Sequence, residues 1–325
     1  MHPAFSVIFL TTLIGVGQGL FLALYTGQLY SAIKVLPAQD PAGFYGYGSL
    51  LSLLFLGAGL FASLFHLGHP ERAWRSAARW RTSWLSREVI VLPLFAASVA
   101  LYGLIHYSGL NPVLFELRGT IDVDLSLLVG ALATLLAFTL FLCTGMIYAC
   151  IKFLQEWATP LTVVNYTLLG AASGFTLASA FASWQQSELG DFYGAWAIIL
   201  TLTALLTRVS SLVRNARIQH RSTLATAIGI RHARIQQKSQ GFMAGSFNTR
   251  EFFHGAPDYL PAIVKWTFLL TVFPAPVIFL ALGLASGVTW TFVAAFVVQY
   301  AGLVAERWFF FAEARHPQNL YYQSV

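Results

Sequence analysis

The most constraining feature of this sequence is a series of apolar stretches that are long enough to cross a lipid bilayer. A transmembrane helix needs about 20 mostly apolar residues to span about 30 Å of hydrocarbon. Eight stretches meet this requirement, approximately at residues 5–30, 47–67, 89–107, 125–151, 161–181, 192–213, 263–286 and 289–311. Because 57% of the residues are hydrophobic and only 10% are charged, a water-soluble enzyme is excluded. We predict a single membrane domain over residues 1–325.

The composition of these stretches indicates helices rather than strands. They are rich in Leu, Ala, Phe and Gly and lack the alternation of polar and apolar residues that marks a transmembrane β-barrel. The first stretch has no basic segment before it and no cleavage pattern after it, so we interpret it as a retained helix. In the seventh, Pro274 and Pro276 are expected to break the helix. The predicted fold is an all-α bundle of eight transmembrane helices.

The positions of the basic residues predict the orientation of this bundle. Lys34 and Arg118 fall on one side of the membrane, where the connections are acidic. The other seventeen of the nineteen fall on the opposite side: Arg72, Arg75, Arg79, Arg81, Arg87, Lys152, Arg208, Arg214, Arg217, Arg221, Arg231, Arg234, Lys238, Arg250, Lys265, Arg307 and Arg315. By the positive-inside rule, both termini are predicted to be cytoplasmic.

Two connections on the basic side differ from the others. Residues 69–88, which we call the Arg/Trp segment, contain five arginines and three tryptophans, and residues 214–261 form the one long loop, which is also basic. Basic loops are topology signals that also bind anionic lipid. Arg and Trp together, however, are enriched at the hot spots of protein–protein interfaces. The second interpretation predicts a docking face for a soluble partner, whereas no nucleic-acid partner is expected.

Four ionisable residues lie near the basic ends of the predicted spans. Arg208 and Lys265 are long enough for their charged groups to reach the membrane surface. Glu306 is too short to do so, and we expect it to pair with Arg307 or with an arginine of the Arg/Trp segment. The pair has two open interpretations, a structural ion pair or a group beside a proton-accepting site.

Histidines and cysteines limit the redox groups that the chain can carry. His66 and His106 fall at opposite ends of the bundle, so a haem with two histidine ligands is not expected, and two cysteines are too few for an iron–sulfur cluster. No metal site is predicted. His66 has two open interpretations, a hydrogen-bonded interface residue or, beside Arg72 and Trp74, a group that binds a quinone carbonyl and relays its proton.

Four segments resemble the membrane anchor subunits of dimethyl sulfoxide reductase type molybdoenzymes. They are residues 2–9, 65–75, 81–88 and 306–314. The resemblance spans the chain and implies an anchor in a bacterial inner membrane. Such an anchor binds a molybdopterin catalytic subunit and an iron–sulfur subunit and exchanges electrons with the quinone pool without a haem.

The resemblance also assigns roles to individual residues. His66 matches the histidine that the family places at its quinone site, with Arg72 and Trp74 as neighbours; the quinone is ubiquinone or menaquinone. The remaining matches are assigned to the interface with the iron–sulfur subunit, and they are Arg81, Trp84, Arg87 and Glu88.

Three functions follow as alternatives. A cytoplasmic docking face favours the membrane subunit of the cytoplasmic sulfite-oxidising enzyme, which passes electrons from sulfite to quinone. The alternative within the family is the anchor of a quinol-oxidising S-oxide or N-oxide reductase. A stand-alone transporter is the alternative from another class, but it predicts charged or polar groups near the midplane, where the spans offer mainly Gln18 and Asn165.

Overall fold

A computed structural model describes residues 3–117, 121–232, 234–235, 257 and 259–321 of the chain. Eight segments of this part are helical, long enough and apolar enough to cross a membrane, which confirms the predicted number. They contain helices α1 (Phe5–Ala32), α2 (Tyr47–Ser63), α3 (Trp84–Ser108), α4 (Leu125–Ala149), α5 (Pro160–Trp184), α6 (Leu189–Ala216), α8 (Tyr259–Val272), α9 (Pro274–Ser286) and α10 (Thr289–Glu313). A short helix, α7 (Leu224–Ile228), lies in the long loop.

Hydrogen bonds between connections define the two ends of the bundle. At one end, which we call the basic end, the Trp157 indole donates to the Phe310 carbonyl at 2.9 Å, and the Arg315 backbone N–H donates to Glu156 at 3.3 Å. At the other end, Gln185 donates to the Gly43 carbonyl at 2.9 Å. These bonds place the α4–α5 connection beside the end of α10 at the basic end, and the α1–α2 connection beside the end of α5 at the other.

The seventh span consists of two helices, as the two prolines predict. Helix α8 ends at Val272 and α9 begins at Pro274, with Phe273 between them. Phe273 is nevertheless fully buried, so the break is packed against the bundle.

A small β-hairpin is a feature that the sequence analysis missed. Strands β1 (Val113–Leu117) and β2 (Ile121–Asp124) pair antiparallel at the end opposite the basic end, with a register irregularity between Val113 and Phe115. The Asp124 side chain then accepts a hydrogen bond from the Leu127 backbone N–H at 2.8 Å and caps α4. Arg118, predicted on this side, lies outside the described residues, between the two strands.

The long loop is described only in part. Thr223 and Thr226 form a reciprocal capping box at the start of α7. Residues 236–256, including Lys238 and Arg250, lie outside the described residues, so the prediction of one basic loop over 214–261 stays a prediction.

Helices α1 and α5 form the centre of the bundle and approach each other closely. In each of these two helices, 72% of the apolar 18-residue stretch that would cross the membrane is buried, compared with 28–44% in the other spans. Gly19 and Gly174 lie at the crossing point, where a Cβ added to Gly174 would collide with the Gly19 backbone. Small residues permit such contacts, which stabilise helix pairs in membranes through dispersion.

Substitution of Gly174 by Ala is therefore expected to destabilise the bundle. The obstructing atoms belong to the α1 backbone and cannot rotate away, so we expect a loss of about 1–3 kcal/mol or more in the free energy of unfolding. Gly57→Ala is the matched control, because a Cβ at Gly57 meets no atom within 4 Å. Thermal unfolding of both variants in detergent measures the difference, and equal melting temperatures would contradict the proposed contact.

Candidate quinone site and partner-binding face

The Arg/Trp segment forms an exposed ledge at the basic end, between α2 and α3. A 3₁₀ turn over Leu64–His66 ends the second span, and a second 3₁₀ helix covers Pro70–Arg79. His66, Arg72 and Trp74 are all exposed, and Trp74 presents 71% of its surface. The structure therefore places the three predicted quinone ligands in one short stretch without enclosing them.

Arginine side chains lie over each of the three tryptophans of this segment. The distance from the guanidinium carbon to the indole centroid is 5.5 Å for Arg75 and Trp74 and 5.3 Å for Arg81 and Trp80. For Arg87 and the half-buried Trp84 it is 4.2 Å, well inside the range of a cation–π contact. Arg and Trp side chains in such pairs form a surface that favours a protein partner.

Arg87 holds the end of this segment against α3. Its Nε donates to the Trp80 carbonyl at 2.9 Å, and its Nη2 donates to the Arg81 carbonyl at 2.8 Å. The Ser86 hydroxyl adds a bond to the Ser76 carbonyl at 2.5 Å. Because these N–H groups of Arg87 bond to carbonyls of the same chain, Arg87 fixes the shape of the ledge. Arg81 lies beside it and is exposed.

Glu88 points away from this ledge into the bundle. Its carboxylate accepts a short hydrogen bond from the Thr144 hydroxyl of α4. Both residues line a narrow cavity of about 30 Å³ that also includes Gln18 and Arg307. This volume holds one or two water molecules. In the structure, the Glu88 carboxylate therefore faces the interior of the bundle. The predicted contact between Glu88 and a partner stays a prediction.

Glu306 is the centre of a buried group of three charges. Its Oε1 lies 2.7 Å from Nε of Arg208, and its Oε2 accepts a hydrogen bond from Nε of Arg307 at 2.6 Å. The exposed fractions are 0% for Glu306, 2% for Arg208 and 4% for Arg307. The Arg307 guanidinium also stacks 3.9 Å from the Tyr166 ring centroid. Two cations and one anion leave this group with one net positive charge in the bundle.

This arrangement corrects one expectation and satisfies another. The expected pairing of Glu306 with Arg307 is present, whereas the expectation that Arg208 reaches the membrane surface is wrong. The Arg208 guanidinium can stay buried because the Glu306 carboxylate, 2.7 Å away, compensates its charge. The sequence did not indicate the roles in this region of Arg208 on α6, Thr144 on α4 and Tyr166 on α5.

The exposed residues fit a quinone chemically but do not form a complete pocket. The imidazole of His66, the guanidinium of Arg72 and the indole of Trp74 all supply N–H donors for a carbonyl oxygen. Small-molecule sites usually enclose most of their ligand, and these three side chains are open to the outside. A quinone bound here therefore needs a further wall from outside the described part of the chain.

Comparison with known proteins assigns the family. The family model of the DMSO reductase anchor subunit (DmsC) matches residues 1–312. The chain belongs to this family. It is also 58% identical to a sulfite dehydrogenase subunit of Allochromatium vinosum over 325 residues, which is 100% of both chains. The resemblance predicted from the four motifs is thus confirmed, and this DmsC-family chain is a multi-pass membrane anchor subunit.

Proposed function

We propose that this chain is the membrane anchor and quinone-binding subunit of a sulfite-oxidising molybdoenzyme complex. Its soluble partners are an iron–sulfur subunit and a molybdopterin catalytic subunit, which bind at the basic end. The exposed Arg/Trp segment supports the proposal most directly, because three arginine-covered tryptophans line a ledge that a soluble partner can cover. Full-length similarity to a sulfite dehydrogenase subunit supports sulfite as the electron donor.

The orientation is part of this proposal. Seventeen of the nineteen Lys and Arg residues lie on the side of the basic end by sequence, which favours the cytoplasm of a bacterial inner membrane for that end. Both termini and the two soluble subunits are then cytoplasmic. A terminal tag tests this orientation, since protease should reach it only in vesicles whose cytoplasmic side faces outward.

The chemistry follows from the positions of the chain's own side chains. A quinone, when bound, accepts two electrons and two protons. His66 at the end of the second span donates a hydrogen bond to a carbonyl oxygen, and Arg72 and Trp74 orient the ring from the same ledge. Binding of the iron–sulfur subunit over the ledge supplies the missing wall and excludes water.

Purification of the tagged complex from native membranes in mild detergent tests the function. We expect two soluble subunits, molybdenum and iron in the sample, and quinone reduction that depends on sulfite. Quinol oxidation coupled to an S-oxide or N-oxide, without sulfite activity, would instead assign the reductase function that the family description also favours. Recovery of the chain alone and free of metal would favour a stand-alone transporter.

Substitution of Arg87 by Ala is expected to release the soluble subunits. The change removes the two hydrogen bonds by which Arg87 of α3 holds the carbonyls of Trp80 and Arg81, and also the cation–π contact between Arg87 and Trp84. We expect at least about a tenfold loss of partner retention, since two hydrogen bonds of about 1 kcal/mol each correspond to such a factor. Subunit stoichiometry after purification measures it.

Arg217→Ala is the control for this prediction. Arg217 is an exposed arginine on the same side by sequence, and it lies outside the Arg/Trp segment. Equal retention of the soluble subunits by both variants would show that the ledge does not bind them.

A further inference from the structure

A wide cavity at the basic end is not used by the proposed function. It lies between the α4–α5 connection, the start of the long loop and the C-terminal tail, and has a volume of about 760 Å³. We call it the basic cavity and define it by six of its lining residues, Lys152, Phe153, His220, Arg221, Arg315 and His316.

The charges of the basic cavity are unbalanced. Lys152, Arg221 and Arg315 are exposed cations on its wall, and no carboxylate lines it within the described residues. Two acidic residues lie nearby, Glu156 and Glu313, and both line an adjoining cavity with His220 and Arg315. Glu156 is 5% exposed. Glu156 is already engaged, since it lies 3.7 Å from His220 and accepts the Arg315 backbone N–H. In the described part of the chain, Lys152 and Arg221 therefore face the cavity without a carboxylate on its wall.

The floor of the cavity is fixed by the bundle. Arg214 donates to the Gln155 carbonyl at 3.0 Å, which ties the end of α6 to the α4–α5 connection. The aromatic ring of Phe153 packs edge-on against His316 at a centroid distance of 5.3 Å. Phe153 is still 57% exposed, so an apolar ring stands beside Lys152 at the end of the spans. Cations next to exposed apolar surface match a ligand that has a phosphate and a hydrocarbon chain.

We propose that the basic cavity binds the phosphate headgroup of an anionic phospholipid. Arginine and lysine are the usual partners of phosphate, and basic pockets between helices at the membrane surface bind lipids of this class. The volume lies in the range of small-molecule sites, about 300–1,000 Å³, which is sufficient for a headgroup. Lys152 and Arg221 contact the phosphate oxygens, and Phe153 lies along the first part of an acyl chain.

The experiment uses the intact complex in nanodiscs of phosphatidylcholine with or without phosphatidylglycerol. Native mass spectrometry after release from the nanodisc counts the phosphatidylglycerol molecules that remain bound. We expect Lys152→Ala/Arg221→Ala to weaken retention by about tenfold or more, since each cation near a lipid surface contributes on the order of a fivefold factor. The charge-conserving Lys152→Arg/Arg221→Lys variant should retain the lipid.

The matched control is Arg217→Ala/Arg231→Ala. Both of these arginines are exposed and precede or follow the lining residues in the same loop, and neither lines the basic cavity. Equal lipid loss in both alanine pairs would show a general surface-charge effect and overturn the proposal. So would unchanged retention in Lys152→Ala/Arg221→Ala.

Two further outcomes distinguish other occupants. If inorganic phosphate protects the cavity cations from chemical modification as well as phosphatidylglycerol does, and no lipid is retained, the ligand is a free anion and the lipid proposal fails. If Lys152→Ala/Arg221→Ala loses the soluble subunits while it retains the lipid, the cavity binds a protein segment instead. A thermal melting curve for each variant shows that the bundle is folded.

Discussion

His66→Ala is expected to lower sulfite-dependent quinone reduction by about tenfold or more while turnover with an artificial electron acceptor is unchanged. A lost hydrogen bond to a desolvated carbonyl corresponds to about 1–3 kcal/mol, which converts to a factor of about 5 to 150 in rate, and the middle of this range exceeds tenfold. The artificial acceptor takes electrons from the soluble subunits, so it does not depend on the anchor's quinone site. The ratio of the two activities in the purified complex is the measurement.

The control for this prediction is His69→Ala, in the same exposed ledge. His69 contacts the Glu71 carboxylate at 3.0 Å, at the surface, and is not assigned to the quinone. We expect its two activities to keep the wild-type ratio. If His66→Ala lowers both activities equally, the histidine supports assembly, and if it changes neither, the quinone binds elsewhere.

Glu306→Gln is expected to destabilise the anchor by about 3–5 kcal/mol. The substitution keeps the shape of the side chain but removes the negative charge between Arg208 and Arg307, which leaves the two buried guanidinium groups without the carboxylate that contacts both. The effect is measured by heating the complex in detergent and recording the fraction of the anchor that stays soluble at each temperature.

Glu71→Gln provides the surface comparison. Glu71 pairs with His69 and lies 3.6 Å from Arg72, but its side chain is 63% exposed. Exposed ion pairs contribute about 0–1 kcal/mol, so this variant should melt close to the wild type. Equal stability of the two variants would show that the buried charges are compensated by other groups.

The sequence predicted the parts of the fold that depend on hydrophobic length. Each span is long, apolar and nearly free of charge, and the bilayer makes this pattern a direct structural constraint. The break in the seventh span was also predictable, because a proline changes the backbone locally. The hairpin around Phe115 was missed because two short strands carry no membrane-length signal.

The candidate site was predictable in composition but not in the direction of its side chains. A basic connection at the membrane surface predicts that the Arg and Trp side chains of the Arg/Trp segment are exposed. The proposed quinone-binding role of His66 came from the family resemblance. Glu88 directly follows Arg87, yet the rotation of α3 sends one side chain to the ledge and the other to Thr144. The partner of Arg208 lies on another helix, so no local pattern indicates it.

The central crossing of α1 and α5 has a consequence for biosynthesis. A ribosome releases α1 first, but the helix surface that contains Gly19 has its tightest neighbour on the fifth span. Helix α2 can pack against α1 before that span enters the membrane, but the side of α1 that faces α5 contacts lipid or an insertion chaperone in place of its final neighbour. Half of the protein must therefore be inserted before its centre can form, and a nascent chain that stops after α4 exposes an unfilled small-residue surface to membrane quality control.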